Sequence, residues 1–263
     1  TPARRSLLLL SLSLLSPASQ AFSPPALLAR SPNSAQGLRG LRGSGAMATK
    51  KPWEREIPNG SLFKYGDGGA HVAFYSGPPD AQRILVLLGG LTDGLLPTPY
   101  TVPLGEILSR LGWGMVQPLL SSSHLGYGSG SLQRDSDEID MLIRYMAQTR
   151  GEEAKFVILG HSTGCQDAVW HCCRGKEANR LCGIILQAPV SDRESSGGKP
   201  EVAKNVARAQ ELVDAGKGEC LMPHDVDMAP MTAYRYLSLN GVKGDDDMFS
   251  SDFTDEELKE RLG

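Results

Sequence analysis

Lys155-Phe156-Val157-Ile158-Leu159-Gly160-His161-Ser162-Thr163-Gly164 is the stretch whose reading decides the fold. Its first half is a continuous apolar run, as expected of a strand buried on both faces of a sheet. Its second half is G-x-S-x-G, and the residues after it predict a helix. Strand, sharp turn and helix in that order make a nucleophile elbow, which holds a serine hydroxyl above the end of a parallel sheet. The turn brings strand and helix close together, so the residues flanking the serine must be small; Gly160 and Gly164 meet that demand. Ser162 is therefore the candidate catalytic nucleophile. The Thr163 N–H, at the helix N-terminus, faces the negative charge that develops when a serine attacks a carbonyl, and is the first candidate oxyanion donor.

Working outward, the chain alternates apolar strands with helices. Ser61–Tyr65 and His71–Ser76 flank Gly66-Asp67-Gly68-Gly69, the pattern of a hairpin at an antiparallel edge. Arg83–Leu88 and Trp113–Gln117 predict inner strands, with a helix over Tyr100–Leu111 between them. Leu132–Met146 carries apolar residues at 132, 139, 142, 143 and 146 and acids at 135, 137, 138 and 140, an amphipathic helix. Cys182–Leu186 is a further inner strand. This alternation implies an α/β fold: a doubly wound, mostly parallel sheet with right-handed crossovers, the alpha/beta-hydrolase architecture. Beyond Gln187-Ala188-Pro189 the pattern turns helical. Val202, Val206, Ala209 and Val213 share one helix face, and a second helical segment covers Tyr234–Leu239, so a lid-like insertion is expected over about 195–245. Thr254-Asp255-Glu256-Glu257 reads as a capping box opening a last helix. No strand is predicted after the insertion, so the last strands of the sheet are expected to be absent and the domain, 54–263, to be partial.

Leu88-Gly89-Gly90-Leu91-Thr92-Asp93-Gly94 leaves the first inner strand where a second oxyanion donor is required. The glycines let the backbone turn its N–H groups inward, and Leu91 N–H is the candidate partner of Thr163 N–H. Gly90 and Thr92 are candidate substrate-contacting residues, as is His124, which follows the second inner strand. G-x-G-x-x-G is absent, so the loop does not read as a dinucleotide site.

A serine nucleophile requires a histidine base and an acid that orients it, following it in that fold as serine, acid, histidine. Past Ser162 the histidines are His171, well down the elbow helix, and His224, in a loop after Met222-Pro223. Neither stands where the base belongs, and the chain is expected to stop short of it. His161 points away from the serine's direction and is expected to be structural. Asp192 is a candidate displaced acid, and Asp245-Asp246-Asp247 reads as a solvated acidic loop rather than a metal site. Cys165, one turn into the elbow helix, is the alternative nucleophile. No metal or organic cofactor is implied.

The charge is unevenly placed. Residues 1–53 hold seven basic residues and no acid, while the net charge of the whole chain is −3, so the remainder is strongly acidic. An acidic body argues against nucleic acid and anionic membranes as partners. The N-terminal 53 residues read as a targeting presequence. Arg4-Arg5, the apolar Leu7–Leu15 and the small residues around Ala18–Ala21 resemble a signal peptide too short to span a bilayer, and a Ser/Arg/Pro-rich stretch follows over 23–46. The arrangement resembles the bipartite presequence of complex plastids. Plain secretion is one alternative; translation from Met47, giving a cytoplasmic protein, is another. Five cysteines without C-x-x-C spacing favour a reducing compartment.

Taken together, Gly89-Gly90-Leu91-Thr92-Asp93-Gly94-Leu95-Leu96, Gly126-Tyr127-Gly128-Ser129-Gly130-Ser131-Leu132, Gly160-His161-Ser162-Thr163-Gly164-Cys165-Gln166-Asp167 and Gln187-Ala188-Pro189-Val190-Ser191-Asp192-Arg193-Glu194 resemble the DUF1749 (UPF0613) alpha/beta hydrolases. Thr232-Ala233-Tyr234-Arg235 and Asp246–Asp252 add to the resemblance, which covers about 57–260. That family includes fungal esterases acting on hydroxamate siderophores such as fusarinine C. The resemblance implies a serine carboxylic-ester hydrolase working through an acyl-enzyme on Ser162, with a small-molecule ester as partner and no stable membrane span. The family's C-terminal acid and histidine have no matching positions here, which leaves a non-catalytic, ligand-binding protein of the same fold as the alternative.

Overall fold

The structure, a computed structural model, describes residues 58–262; the presequence expected over 1–53 lies outside them. Six strands form one sheet in the order β1-β2-β4-β3-β5-β6. β1 (Ser61–Lys64) and β2 (Val72–Ser76) are the expected antiparallel hairpin, and β2 pairs antiparallel with β4 (Gly114–Pro118). The others are parallel: β3 (Arg83–Leu88) lies between β4 and β5 (Lys155–His161), and β6 (Leu181–Gln187) is beside β5. Their sequences explain their position. Ile84, Val86, Phe156 and Ile158 are fully shut off from solvent, and each such side chain contributes about 1.5–3 kcal/mol relative to its exposed state.

Helices α1 (Thr101–Arg110), α2 (Leu132–Arg150) and α3 (Gly164–Arg174) make the crossovers. From β3 the chain winds outward to β4 on one side, and from β5 to β6 on the other. The winding direction therefore reverses between β3 and β5, and the crevice at their C-terminal ends is where open α/β sheets bind ligands. Leu88 pairs in register with Gly160, so the oxyanion-loop glycines and the elbow leave the sheet side by side.

After β6 come a short helix α4 (Asp192–Ser196), then α5 (Pro200–Asp214), α6 (Ala233–Asn240) and α7 (Asp255–Leu262). Among the described residues no strand follows β6 apart from an isolated bridge, Leu221 to Thr232. The capping box forms as expected: Thr254 N–H donates to Glu257 Oε2 at 2.9 Å, and Glu257 N–H donates to Thr254 Oγ1 at 3.3 Å. No helix of the described residues is long and apolar enough to cross a membrane.

The structure corrects the expectation of a solvated acidic loop, and it also buries acids of α2: Asp135, Glu138 and Asp140. Asp140 accepts the N–H groups of Lys176 and Glu177, which open the turn after α3, at 3.1 and 2.7 Å; Glu138 accepts from Ser121 N–H at 2.7 Å and from the Ser121 hydroxyl. Likewise Asp246 and Asp247 are buried rather than solvated. Asp247 accepts from Arg193 Nε at 2.8 Å, from Lys243 N–H at 2.9 Å and from Ser250, while Asp245 accepts from Tyr234. The three aspartates latch the loop after α6 to α4 and to the helical insertion.

His171 is fully buried between α3 and α2, with Nδ1 3.0 Å from Ser136 Oγ and Nε2 3.9 Å from Asp140. Burial holds its pKa below the ordinary 6.5 in spite of that carboxylate. The unfolded chain therefore takes up a proton near pH 6.5 that the folded protein resists, and stability drains away as pH falls below that value. Relative to His171→Gln, the wild type is expected to lose stability as pH falls from 7.5 to 5.5, with a slope of at most about 1.4 kcal/mol per pH unit. Denaturant titrations of both proteins check this; parallel pH dependences would contradict it.

Candidate active site

Gly160 and Gly164 let β5 and α3 approach closely enough to form the elbow. A methyl at Gly164 would lie 2.5 Å from Gly89 O, and one at Gly160 would run into Gly164 O and stand 2.7 Å from Cys165 N. Between them Ser162 takes φ 54°, a left-handed conformation that a serine occupies at a cost of about 1–3 kcal/mol. Neighbouring bonds hold it there. Ser162 N–H donates to Gln187 O at 3.0 Å, and the Cys165 thiol donates to Gly160 O at 3.2 Å and Gln187 O at 3.5 Å. Cys165 is thus a brace under the turn. It is fully buried and its thiol is pushed up to about 12 by that burial, which removes the thiolate a nucleophilic cysteine requires.

On the other side of the crevice, Gly90–Asp93 is a tight turn: Asp93 N–H donates to Gly90 O at 3.0 Å, and Asp93 Oδ2 accepts Gly90 N–H at 2.7 Å. Gly90 packs directly on the elbow, since a methyl there would come within 3.0 Å of Ser162 Cβ and 3.4 Å of its Oγ. With Gly90 N–H occupied, the Leu91 and Thr163 N–H groups carry no hydrogen bond among the described residues. Both residues line one small cavity at the switch point. A short chain thus brings together Ser162, Gly90, Leu91 and Thr163. Sequence reading overlooked Asp93, whose side chain reaches back three residues to Gly90 N–H rather than forward as in an Asx turn.

The remaining candidates sit apart. Thr92 is exposed on the turn and does not line the cavity. His124, expected in the pocket, is exposed on its outer side: its φ is 56°, its N–H donates to Asp93 O at 3.2 Å, and its ring crowds Gly94. The left-handed backbone at His124 directs it there, a feature that residue order alone does not encode. His161 contacts Gln187 Oε1 through Nδ1, and Tyr100 donates to the same oxygen at 3.0 Å. Because an amide oxygen only accepts, Nδ1 carries the proton, and His161 braces β6 against β5. Asp192 accepts from Gln166 Nε2 at 3.1 Å, with its carboxyl raised to about 6 by burial; among the described residues it bonds to no imidazole. Ser162 Oγ has no hydrogen-bond partner among the described residues.

A family profile described as "Protein of unknown function (DUF1749)" matches residues 49–263. A UPF0613 protein of Schizosaccharomyces pombe is 35% identical over 194 residues, covering 69% of this chain and 61% of its own length. The fusarinine C esterase sidJ of Aspergillus fumigatus is 31% identical over 262 residues, with 81% of this chain and 74% of that protein covered. Among solved structures, the siderophore hydrolase EstB from Aspergillus fumigatus superposes with a TM-score of 0.61 at 28% identity, over 80% of this chain and 76% of that one. An alpha/beta hydrolase fold protein of unknown function superposes with a TM-score of 0.54 at 26% identity, covering 68% and 61%. The chain thus spans about three fifths of the length of the fission-yeast relative and about three quarters of the Aspergillus esterase.

Proposed function

This chain belongs to the DUF1749 family of alpha/beta-hydrolase fold, and we propose that it supplies the nucleophile and oxyanion hole of a serine esterase. The observation that carries the reading is the strained Ser162 on its elbow, set against two unengaged N–H groups, Leu91 and Thr163. In the proposed reaction Ser162 Oγ attacks the carbonyl carbon of a small-molecule carboxylic ester. The carbonyl oxygen becomes an oxyanion held by Leu91 and Thr163 N–H; each such donor contributes about 3 kcal/mol to the transition state. Collapse of the intermediate breaks the carbon–oxygen bond, the alcohol leaves with the serine's proton, and water then releases the acid from the acyl-serine. The names of the Aspergillus relatives support an ester or siderophore-like substrate. The composition of the leader supports a plastid location, or a cytoplasmic one if Met47 is the start.

A second reading, a ligand-binding protein that does not turn its ligand over, is favoured by the lack of a hydrogen-bonded base at Ser162 Oγ among the described residues. Treatment with a fluorophosphonate separates the two. One covalent adduct per chain supports the esterase reading; reversible ester binding without any adduct supports the second.

A further inference from the structure

Behind the backbone of the candidate oxyanion hole lies a cavity of about 40 Å³, room for one or two water molecules. Gly90, Leu91 and Thr163 line it together with Asp135, Asp167, Arg235 and Asp246. Asp135 and Asp246 are 2% and 1% exposed and Arg235 is 3% exposed. Arg235, from α6, donates through Nη1 to Asp246 Oδ2 at 2.6 Å and through Nε to Tyr127 O at 3.0 Å. The Oδ1 atoms of Asp135, Asp167 and Asp246 are each buried without a hydrogen-bond partner. Three carboxylates facing one guanidinium leave an excess of negative charge at the back of donors that must stabilise an anion. In a water-poor interior that opposition is strong.

We propose that Arg235 is a positioning residue for the oxyanion hole: its guanidinium offsets Asp135, Asp167 and Asp246 behind the Leu91 and Thr163 donors, so the potential in the hole depends on the insertion being docked. The inference rests on the esterase reading of Ser162. Further charged groups face the cluster from neighbouring elements. Arg134 and Glu138 come from α2, Asp192 from α4, and Asp93 from the turn after β3; Glu138 is engaged by Ser121 and lies 3.6 Å from His71. Burial raises the carboxyl of Asp135 to about 6 and that of Asp167 well above its ordinary value, so both give up their protons at higher pH than an ordinary carboxyl.

Second-order rates of Ser162 phosphonylation by a fluorophosphonate, measured on the full-length protein from pH 6 to 9, test this. The ratio of wild type to Arg235→Met is expected to exceed unity already at pH 6, where Asp246 loses its ion pair, and to climb to about tenfold at pH 9 as the remaining carboxyls ionise. Adding Asp167→Asn to Arg235→Met should recover most of the loss. A ratio flat across pH, or a double variant no faster than the single one, overturns the proposal while leaving the esterase reading intact. Absence of labelling in the wild type instead overturns that reading, and the proposal with it. Where Arg235→Met fails to fold by circular dichroism, Asp167→Asn alone decides: faster labelling at pH 9 supports the proposal, and unchanged or slower labelling overturns it.

Discussion

Replacing Ser162 with alanine is expected to abolish covalent labelling and to lower ester hydrolysis by about a thousandfold or more, with little change in stability. The loss is large because nothing else in the crevice replaces the nucleophile. Cys165 is sealed under the turn with its thiol pushed up to about 12, and in the proposed reaction the nearby Thr163 serves through its backbone N–H. What survives in such a variant is the modest acceleration given by binding and the oxyanion donors. The fold is spared because alanine keeps Cβ and leaves the backbone at φ 54° as strained as before. Among the described residues Ser162 Oγ makes no hydrogen bond to lose. Steady-state hydrolysis of an activated ester and a thermal melt on the same preparations check both halves.

The second large effect is on the elbow itself. Gly164→Ala would place a methyl 2.5 Å from Gly89 O and 2.8 Å from Leu88 O, and Gly160→Ala would press on Gly164 O and on Cys165 N at 2.7 Å. These neighbours are backbone atoms of the end of β3 and of the start of α3, so no side-chain rotation relieves the clash. Each substitution is expected to destabilise the protein by about 3 kcal/mol or more and to slow Ser162 labelling, since β3, β5 and α3 must part at the point where Gly90 packs on the serine. Gly183→Ala is the matched control. Nothing lies within 4 Å of a methyl there, and its effect should stay within about 0.5 kcal/mol. Equal melting temperatures for Gly164→Ala and Gly183→Ala would contradict this account of the turn.

Much of the frame was legible from residue order. The apolar runs at 83–88 and 155–159, the hairpin glycines at 66–69 and the Thr254/Glu257 box each specify a local geometry, and each formed within a residue or two of expectation. The elbow was legible for the same reason: Gly160 and Gly164 state which backbones must touch. Charged residues defeated the reading. Glu138, Asp140, Asp246 and Asp247 look like solvent-facing acids in a local window, and pattern rules assign them outward, whereas Asp135 shares the apolar stripe of Leu132 and Ile139. What buries them lies far away along the chain: Arg193 for Asp247, the N–H groups after α3 for Asp140, and an α6 arginine whose Nε reaches Tyr127 O across 108 residues. His124 was misplaced for a different reason, a left-handed backbone at a non-glycine residue that no local propensity announces.

The central claim is that Ser162 is the reacting group. Lys155 and Arg174 bracket it in one tryptic peptide, residues 156–174, whose only hydroxyl side chains are Ser162 and Thr163. Mass-spectrometric mapping of fluorophosphonate-treated protein should find the adduct in that peptide, with fragment ions assigning it to Ser162 and none on the peptide from Ser162→Ala. An adduct confined to another residue, or an unmodified 156–174 peptide under conditions that label a known serine esterase, would contradict the account.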